Sequence, residues 1–366
     1  MRITSVTLKN FRCFAEQQFT FNRKFVVIEG NNGVGKTSLL EALHYVCYLR
    51  SFRTSSSSDL IGTNQDHFFV QVKVTPQSST ESSSLQVGYS DSGKLIKYNG
   101  KSVSSHKELL NHYRVVSITE DDLELVRGAP EVRRAFLQQS LCLLDAAQSS
   151  LITQYKKVLH QRNSILFRAK GSFGTALPAE ELFIWSEQLW TLSKKITCIY
   201  QSFLQELEVA VNDLLQKYFA ADNFVVTFAY QFKNQEFDLP DFKSFWERWL
   251  LHMVRDEYAQ GRTLFGTHLD DFLISFKTKK AKVFASRGQQ KLVVFLMKYA
   301  QFYLMGKNTE IKSCLLLDDF LTDFDRVRLE HCLQLLDESE VQVFITCPIN
   351  FEQLLTITPQ MQRIIL

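Results

Sequence analysis

Residues 25–37 read Phe25-Val26-Val27-Ile28-Glu29-Gly30-Asn31-Asn32-Gly33-Val34-Gly35-Lys36-Thr37. The apolar run Phe25 to Ile28 suits a buried strand, and Leu39, Leu40, Leu43 and Val46 then recur at helical spacing from about Lys36 to Tyr48. Between strand and helix stands the pattern GxxxxGK[ST]. Glycines at 30, 33 and 35 let backbone N–H groups turn inward, and the start of a helix adds a dipole that favours an anion. Gly30, Asn31, Asn32, Gly33, Val34, Gly35, Lys36, Thr37 and Ser38 are therefore read as a nucleotide phosphate cradle. Lys36 would reach the outer phosphates, and the Thr37 hydroxyl would ligate Mg2+.

The bulk numbers bound the rest. The 366 residues are 45% hydrophobic and 22% charged, which suits one large or two ordinary globular domains. A net charge of +3 does not by itself imply a nucleic-acid partner, so any such contact must come from local patches. Seven cysteines without a CxxC pair indicate neither a zinc site nor a disulfide framework. No apolar run approaches the ~18 residues of a membrane span, and the N-terminus lacks the apolar core of a signal peptide. A cytoplasmic protein with no membrane association is expected.

Outward from the phosphate loop, residues 1–30 read as two or three strands. Residues 68–74 and 94–98 read as two more, with the Ser-rich connection 77–84 between them. After Pro130 the pattern turns helical: one helix starts there, and a second carries Ile152, Tyr155, Leu159 and Leu166. A third, from about Glu180 to Tyr218, would be roughly 55–60 Å long. A strand-like piece at Phe224–Phe228 and a helix at about Leu239–Tyr258 follow. Strands are expected at Phe272–Phe276, Lys282–Phe284, Ser313–Leu317 and Val341–Thr346, with a helix at Gln289–Leu304. The fold class is α/β, with both chain ends building one P-loop head (1–130 and 263–366) around an inserted helical arm (131–262).

Two further motifs carry chemistry. Cys314-Leu-Leu-Leu-Asp318-Asp319 ends a buried strand on two carboxylates: Asp318 suits Mg2+, and Asp319 either polarises an attacking water or caps the next helix. Ser286-Arg-Gly-Gln-Gln290 opens a second helix with a hydroxyl and a glycine, a second anion site of the same kind.

The order Gly30–Thr37, Ser286–Gln290, Leu315–Asp319 and Leu321-Thr-Asp-Phe-Asp325 resembles the ABC/SMC class of ATPases. Leu8–Phe14 (LKNFRCF), Ser51–Arg53 (SFR), Ile118–Leu137, Thr263–Phe276 and Gln342–Thr346 make the chain similar to the bacterial RecF family. That resemblance implies that Ser286, Gly288 and Gln289 contact the ATP held by Lys36 of a second copy, with Asp323 and Asp325 in a D-loop across the dimer. It implies an ATP- and Mg2+-dependent homodimeric DNA clamp with slow, DNA-stimulated ATPase activity. Such a clamp would bind single-stranded and duplex DNA without sequence preference, working with RecR, RecO and RecA in recombinational repair and fork maintenance. Departures are Glu120 and Thr267 where the family has Pro, Asp323 for Glu and Phe324 for Leu. Thr346 stands where transporters carry a switch histidine.

Other residues have two readings. Arg12 is either a nucleotide contact or a surface arginine, and His268 is read as structural. The run Lys277–Lys282 is read as a solvated hairpin, whereas Arg133, Lys156 and Arg162 are candidate DNA phosphate contacts. Rival classes are another SMC-type head, a transporter ATPase subunit and a small-molecule P-loop kinase.

Overall fold

The computed structural model describes residues 2–75, 82–103, 106–110, 113–144, 148–170, 179–222, 224–234, 240–308, 313–339, 341–349 and 360–366. Most of the Ser-rich connection 77–84 lies outside them. In chain order the elements begin β1 (Arg2–Phe11), β2 (Phe14–Thr20), β3 (Phe25–Glu29), α1 (Lys36–Tyr48), β4 (His67–Thr75), β5 (Ser83–Ser90), β6 (Gly93–Tyr98), β7 (Lys101–Ser102), α2 (His106–Leu110) and β8 (Val115–Ile118). The middle holds α3 (Glu124–Arg127), α4 (Pro130–Leu144), α5 (Gln148–Arg168), α6 (Ala179–Tyr218), β9 (Val226–Gln231), α7 (Phe242–His252), α8 (Val254–Gln260), β10 (Asp271–Phe276), β11 (Lys279–Lys280) and α9 (Ala281–Phe284). The chain closes with α10 (Arg287–Asn308), β12 (Cys314–Leu317), α11 (Arg326–Glu338), β13 (Val343–Cys347) and β14 (Gln362–Ile365).

These elements fall into two compact units. The first comprises Met1–Leu123, Leu214–Asn223 and Ser286–Leu366; the second comprises Glu124–Asp213 and Phe224–Ala285. The boundaries expected from the sequence shift accordingly. Residues 124–130 and 263–285 group with the helical unit, because β10 pairs along its length with β9 rather than with either sheet of the head.

In the first unit a five-stranded parallel sheet runs β14-β3-β13-β12-β8. Every residue of β3, β8, β12 and β13 is buried, as a parallel sheet covered on both faces requires. The order sets β13 between β3 and β12, so the C-terminal ends of these three strands bring Gly30, Thr346 and Asp318 to one edge of the sheet. An antiparallel sheet, β2-β1-β4-β5-β6-β7, forms the second layer. Helix α1 touches both layers, which explains why all its residues except Thr37 are buried.

The second unit packs α4, α5 and α6 with the small sheet β11-β10-β9. In the 40-residue α6, Leu182, Leu189, Ile196 and Phe203 recur every seven residues and are all buried. The lysine run forms the expected hairpin. Lys277 and Thr278 (φ 46° and 71°) make a two-residue turn with both φ positive, the geometry that matches strand twist. Two expectations fail here. Residues 282–284 belong to the single turn α9 and not to a strand, since pairing with β10 is exhausted at Lys280. The helix expected over 239–258 is broken at Met253, whose φ of −119° leaves the helical range.

Candidate active site

The phosphate loop leaves β3 at Gly30 and enters α1 at Lys36. Gly33 (φ 86°) and Gly35 (φ 112°) take left-handed conformations that other residues resist. At Gly35 a Cβ would also lie 2.6 Å from Cys13 Sγ and 2.8 Å from Phe14 Cζ, so those side chains would have to shift to admit it. Gly35 itself caps α1 and, lacking a side chain, gives the first N–H groups of the helix no cap bond. Lys36 is buried, and its Nζ donates to the carbonyls of Gly30 (2.9 Å) and Asn31 (3.2 Å). Its charge is thereby held over the loop.

Beside the loop, Thr37 Oγ1 donates to Asp318 Oδ1 at 2.9 Å. Thr346 Oγ1 donates to the same oxygen, also at 2.9 Å, and accepts the Asp319 N–H at 2.8 Å. Burial raises the pKa of Asp318, and the neighbouring charge of Asp319 adds to that; the hydrogen bonds from Thr346 and Thr37 oppose it. A hydroxyl and a carboxylate in contact form a hard-oxygen pair that fits Mg2+ when phosphate oxygens and water complete the shell. Asp319 has a φ of 49°, an uncommon conformation for a residue with a side chain. It does not cap the following helix. That task falls to Asp325, whose Oδ1 accepts the N–H of Arg328 at 3.0 Å.

The Ser286 segment is a capping box. Ser286 Oγ accepts the Gln289 N–H (3.3 Å), while Gln289 Oε1 accepts the Ser286 N–H (2.9 Å). Ser286 is exposed, and a Cβ on Gly288 would fall 2.9 Å from Arg328 Nη1. One turn into α10, Lys291 is 1% exposed and pairs with Glu120 and with Asp323 (3.2 Å), under the rings of Phe320 and Phe324. Arg287 joins the cluster at 3.3 Å from Asp323 and 3.8 Å from Glu120. Glu120, Asp323 and Phe324 thus converge on Lys291.

Arg12, read from the sequence as a nucleotide contact or a surface arginine, is half-buried and bonded within its own chain. Its Nε and Nη2 each donate at 2.8 Å to the carboxylate of Glu41, which is fully buried, and Nη1 donates to the Asp59 carbonyl. Glu41 was missed. It also accepts the Ser51 hydroxyl, and Arg53 lies 4.0 Å away. A carboxylate amid the apolar positions of α1, one turn past Thr37, was the available signal.

Two of the three DNA candidates are corrected. Arg162 is fully buried: it pairs with Glu257 at 2.6 Å, donates to Ser186 and Thr263, and lies over Phe265 and Trp249. Arg133 is forked onto Asp271 at 2.7 Å by two bonds and donates to the carbonyls of Leu125 and Gly128. Both guanidinium groups are spent inside the arm. Lys156 is exposed. His268 is structural in its surroundings: Nδ1 lies 2.8 Å from the Tyr155 hydroxyl, and burial lowers its pKa to about 4.

A phosphate loop after β3, a carboxylate pair after β12 and a capped glycine-bearing helix start, all on one mixed head, define an ABC/SMC-type ATPase fold. The RecF/RecN/SMC N-terminal domain family matches residues 2–358. The DNA replication and repair protein RecF of Bacillus thuringiensis (strain Al Hakam) is 30% identical over 349 residues, 94% of this chain and 92% of that one. The RecF of Bacillus cereus (strain B4264) matches to the same extent. The chain belongs to the RecF family. Among solved structures, the recombination mediator protein RecF-ATP in the RecFOR pathway has a TM-score of 0.83 at 25% identity, covering 96% of this chain and 92% of that one. RecF-ATPrS gives 0.82 at 26% identity, covering 96% and 93%. The Smc head domain from Pyrococcus furiosus shares the fold at a TM-score of 0.54 and 15% identity, over 97% and 91%. Among the described residues, no helix is long and apolar enough to cross a membrane.

Proposed function

We propose that the chain is an ATP-gated DNA clamp of recombinational repair. The observation that carries this reading is the single oxygen of Asp318 shared by Thr37 from the phosphate loop and Thr346 from β13. It ties loop, acidic strand and central strand into one phosphate-handling unit. Backbone N–H groups of residues 30–38 and Lys36 would hold the ATP phosphates. Thr37 and Asp318 would hold Mg2+, which neutralises phosphate charge when bound. Asp319 would orient and deprotonate the attacking water, so the protein's part in hydrolysis is positioning and charge stabilisation.

The exposed Ser286 and the half-buried Gly288, on a helix start already capped within its own chain, support a role toward a second copy. In this reading they complete the site around the other subunit's γ-phosphate, ATP joins two heads over DNA, and slow DNA-stimulated hydrolysis releases them. DNA binding would be sequence-independent, near single-strand/double-strand junctions, with Lys156 as a phosphate contact. The solved RecF relatives named for the RecFOR pathway support RecR and RecO as partners, and RecA loading would be the outcome. A transporter ATPase subunit is disfavoured by the 40-residue α6 between phosphate loop and Ser286, and by Thr346 at the switch position. Sedimentation with ATP and DNA tests the proposal: a chain that binds both yet stays monomeric contradicts it.

A further inference from the structure

Glu29 is 1% exposed and directly precedes the phosphate loop. A buried acid beside a site for a polyanion is costly twice over, through its own desolvation and through repulsion of phosphate. Arg363, on the edge strand β14, faces it. Nε donates to Glu29 Oε1 at 2.9 Å and Nη2 to Oε2 at 2.7 Å. The strand register sets Arg363 opposite Val27, so the side chain reaches two residues toward the loop to close this fork. The same strand end approaches the loop directly. The Leu366 N–H bonds the Glu29 carbonyl at 2.9 Å, and the Leu366 carbonyl lies 3.1 Å from where a Cβ on Gly30 would stand.

Cys347, opposite Glu29 in β13, marks how closely the charges gather. Its thiol pKa is pushed up to about 12 by burial, then by the negative charges of Glu29 and Asp319, against the positive charges of Lys36 and Arg363. Glu29 and Arg363 therefore share one electrostatic neighbourhood with the phosphate-loop lysine and with Asp319.

The geometry points to Arg363 as a positioning residue that cancels the Glu29 charge beside the phosphate loop and so sets the affinity for nucleoside triphosphate. This inference rests on the ATP reading above. Without the guanidinium, Glu29 remains buried against the loop and repels the bound phosphates, the triphosphate more than the diphosphate. Any cation at 363 serves the purpose, and so does loss of the Glu29 charge. A strand staple, by contrast, needs the fork itself.

Titration calorimetry of ATP and ADP on the full chain separates these roles. Arg363→Ala is expected to weaken ATP about tenfold, and ADP less. Arg363→Lys and the double variant Glu29→Gln/Arg363→Ala are expected within about threefold of wild type. Unchanged ATP affinity in Arg363→Ala overturns the inference. So does a double variant, or a lysine variant, as weak as Arg363→Ala, which would make the fork a staple. A wild-type chain that binds no ATP removes the functional reading itself, a blank easily told from differences among variants.

Discussion

Thr346 donates its hydroxyl hydrogen to Asp318 Oδ1 and accepts the backbone N–H of Asp319, at 2.9 and 2.8 Å. One buried hydroxyl therefore fixes both the candidate metal-binding carboxylate and the backbone that aims its neighbour. Thr346→Val keeps the shape and deletes both bonds, leaving the Asp319 N–H unpaired at a cost of about 1–3 kcal/mol. Hydrolysis per bound ATP should fall about 10- to 100-fold, since small misplacements near reacting atoms have effects of that size. ATP affinity should change little. Single-turnover hydrolysis beside equilibrium binding checks this, and equal rates in the two proteins would remove Thr346 from the chemistry. Asp319→Asn should likewise bind ATP and turn it over slowly.

Lys291 joins the capped helix to the segment that carries Asp323. Its carboxylate partners are 40% and 49% exposed, so water can take them over when the lysine is removed. Lys291→Met should therefore cost no more than about 1–2 kcal/mol in denaturant unfolding. Its local effect should be larger: amide exchange across residues 320–325 should accelerate. Unchanged exchange there would mean that Phe320 and Phe324 hold the segment without the ion pairs.

The two arginines withdrawn from the DNA surface make opposite predictions to Lys156. Arg162→Ala leaves Glu257 buried and unpaired and should destabilise the arm by about 3–5 kcal/mol. Lys156→Ala should leave stability unchanged but lower the slope of log affinity for DNA against log salt by about one. An Arg162 variant as stable as wild type would contradict the buried pair. An unaltered salt slope for Lys156→Ala would remove that residue from the DNA surface.

His268 gives the arm a pH dependence of defined sign. Its folded pKa of about 4 lies below the ordinary 6.5, so the unfolded chain binds the extra proton between those values. The stability it contributes is present above pH 6.5 and is lost as pH falls toward 4. Thermal melts across that window should show a loss that His268→Gln reduces by about 1–2 kcal/mol. Identical slopes in the two proteins would place the acid sensitivity elsewhere, for example at His44, whose pKa burial lowers to about 3.

What was legible in the chain was whatever chemistry fits inside a few consecutive residues. The phosphate loop needs its glycines, lysine and threonine in fixed order, and Asp318 and Asp319 need only an apolar strand before them, so these positions could be read directly. Partners far apart in sequence could not. Glu257 is 95 residues from Arg162 and Asp271 is 138 from Arg133, and each occupies a cation that looks free in the sequence. Strands β8 and β14, four residues each, are too short for their periodicity to announce them. The link from Glu29 to Arg363 depends on β14 and was invisible for the same reason.

The central claim, that ATP joins two copies through Ser286, is tested most directly by sedimentation velocity with and without ATP and DNA, comparing wild type with Ser286→Arg. Loss of the capping hydroxyl costs only about 1 kcal/mol, so the variant should fold and still bind ATP as a monomer. The wild type should sediment as a dimer when ATP is present, and the variant should not. A variant that dimerises like the wild type, or a wild type that stays monomeric with ATP and DNA bound, would contradict the claim.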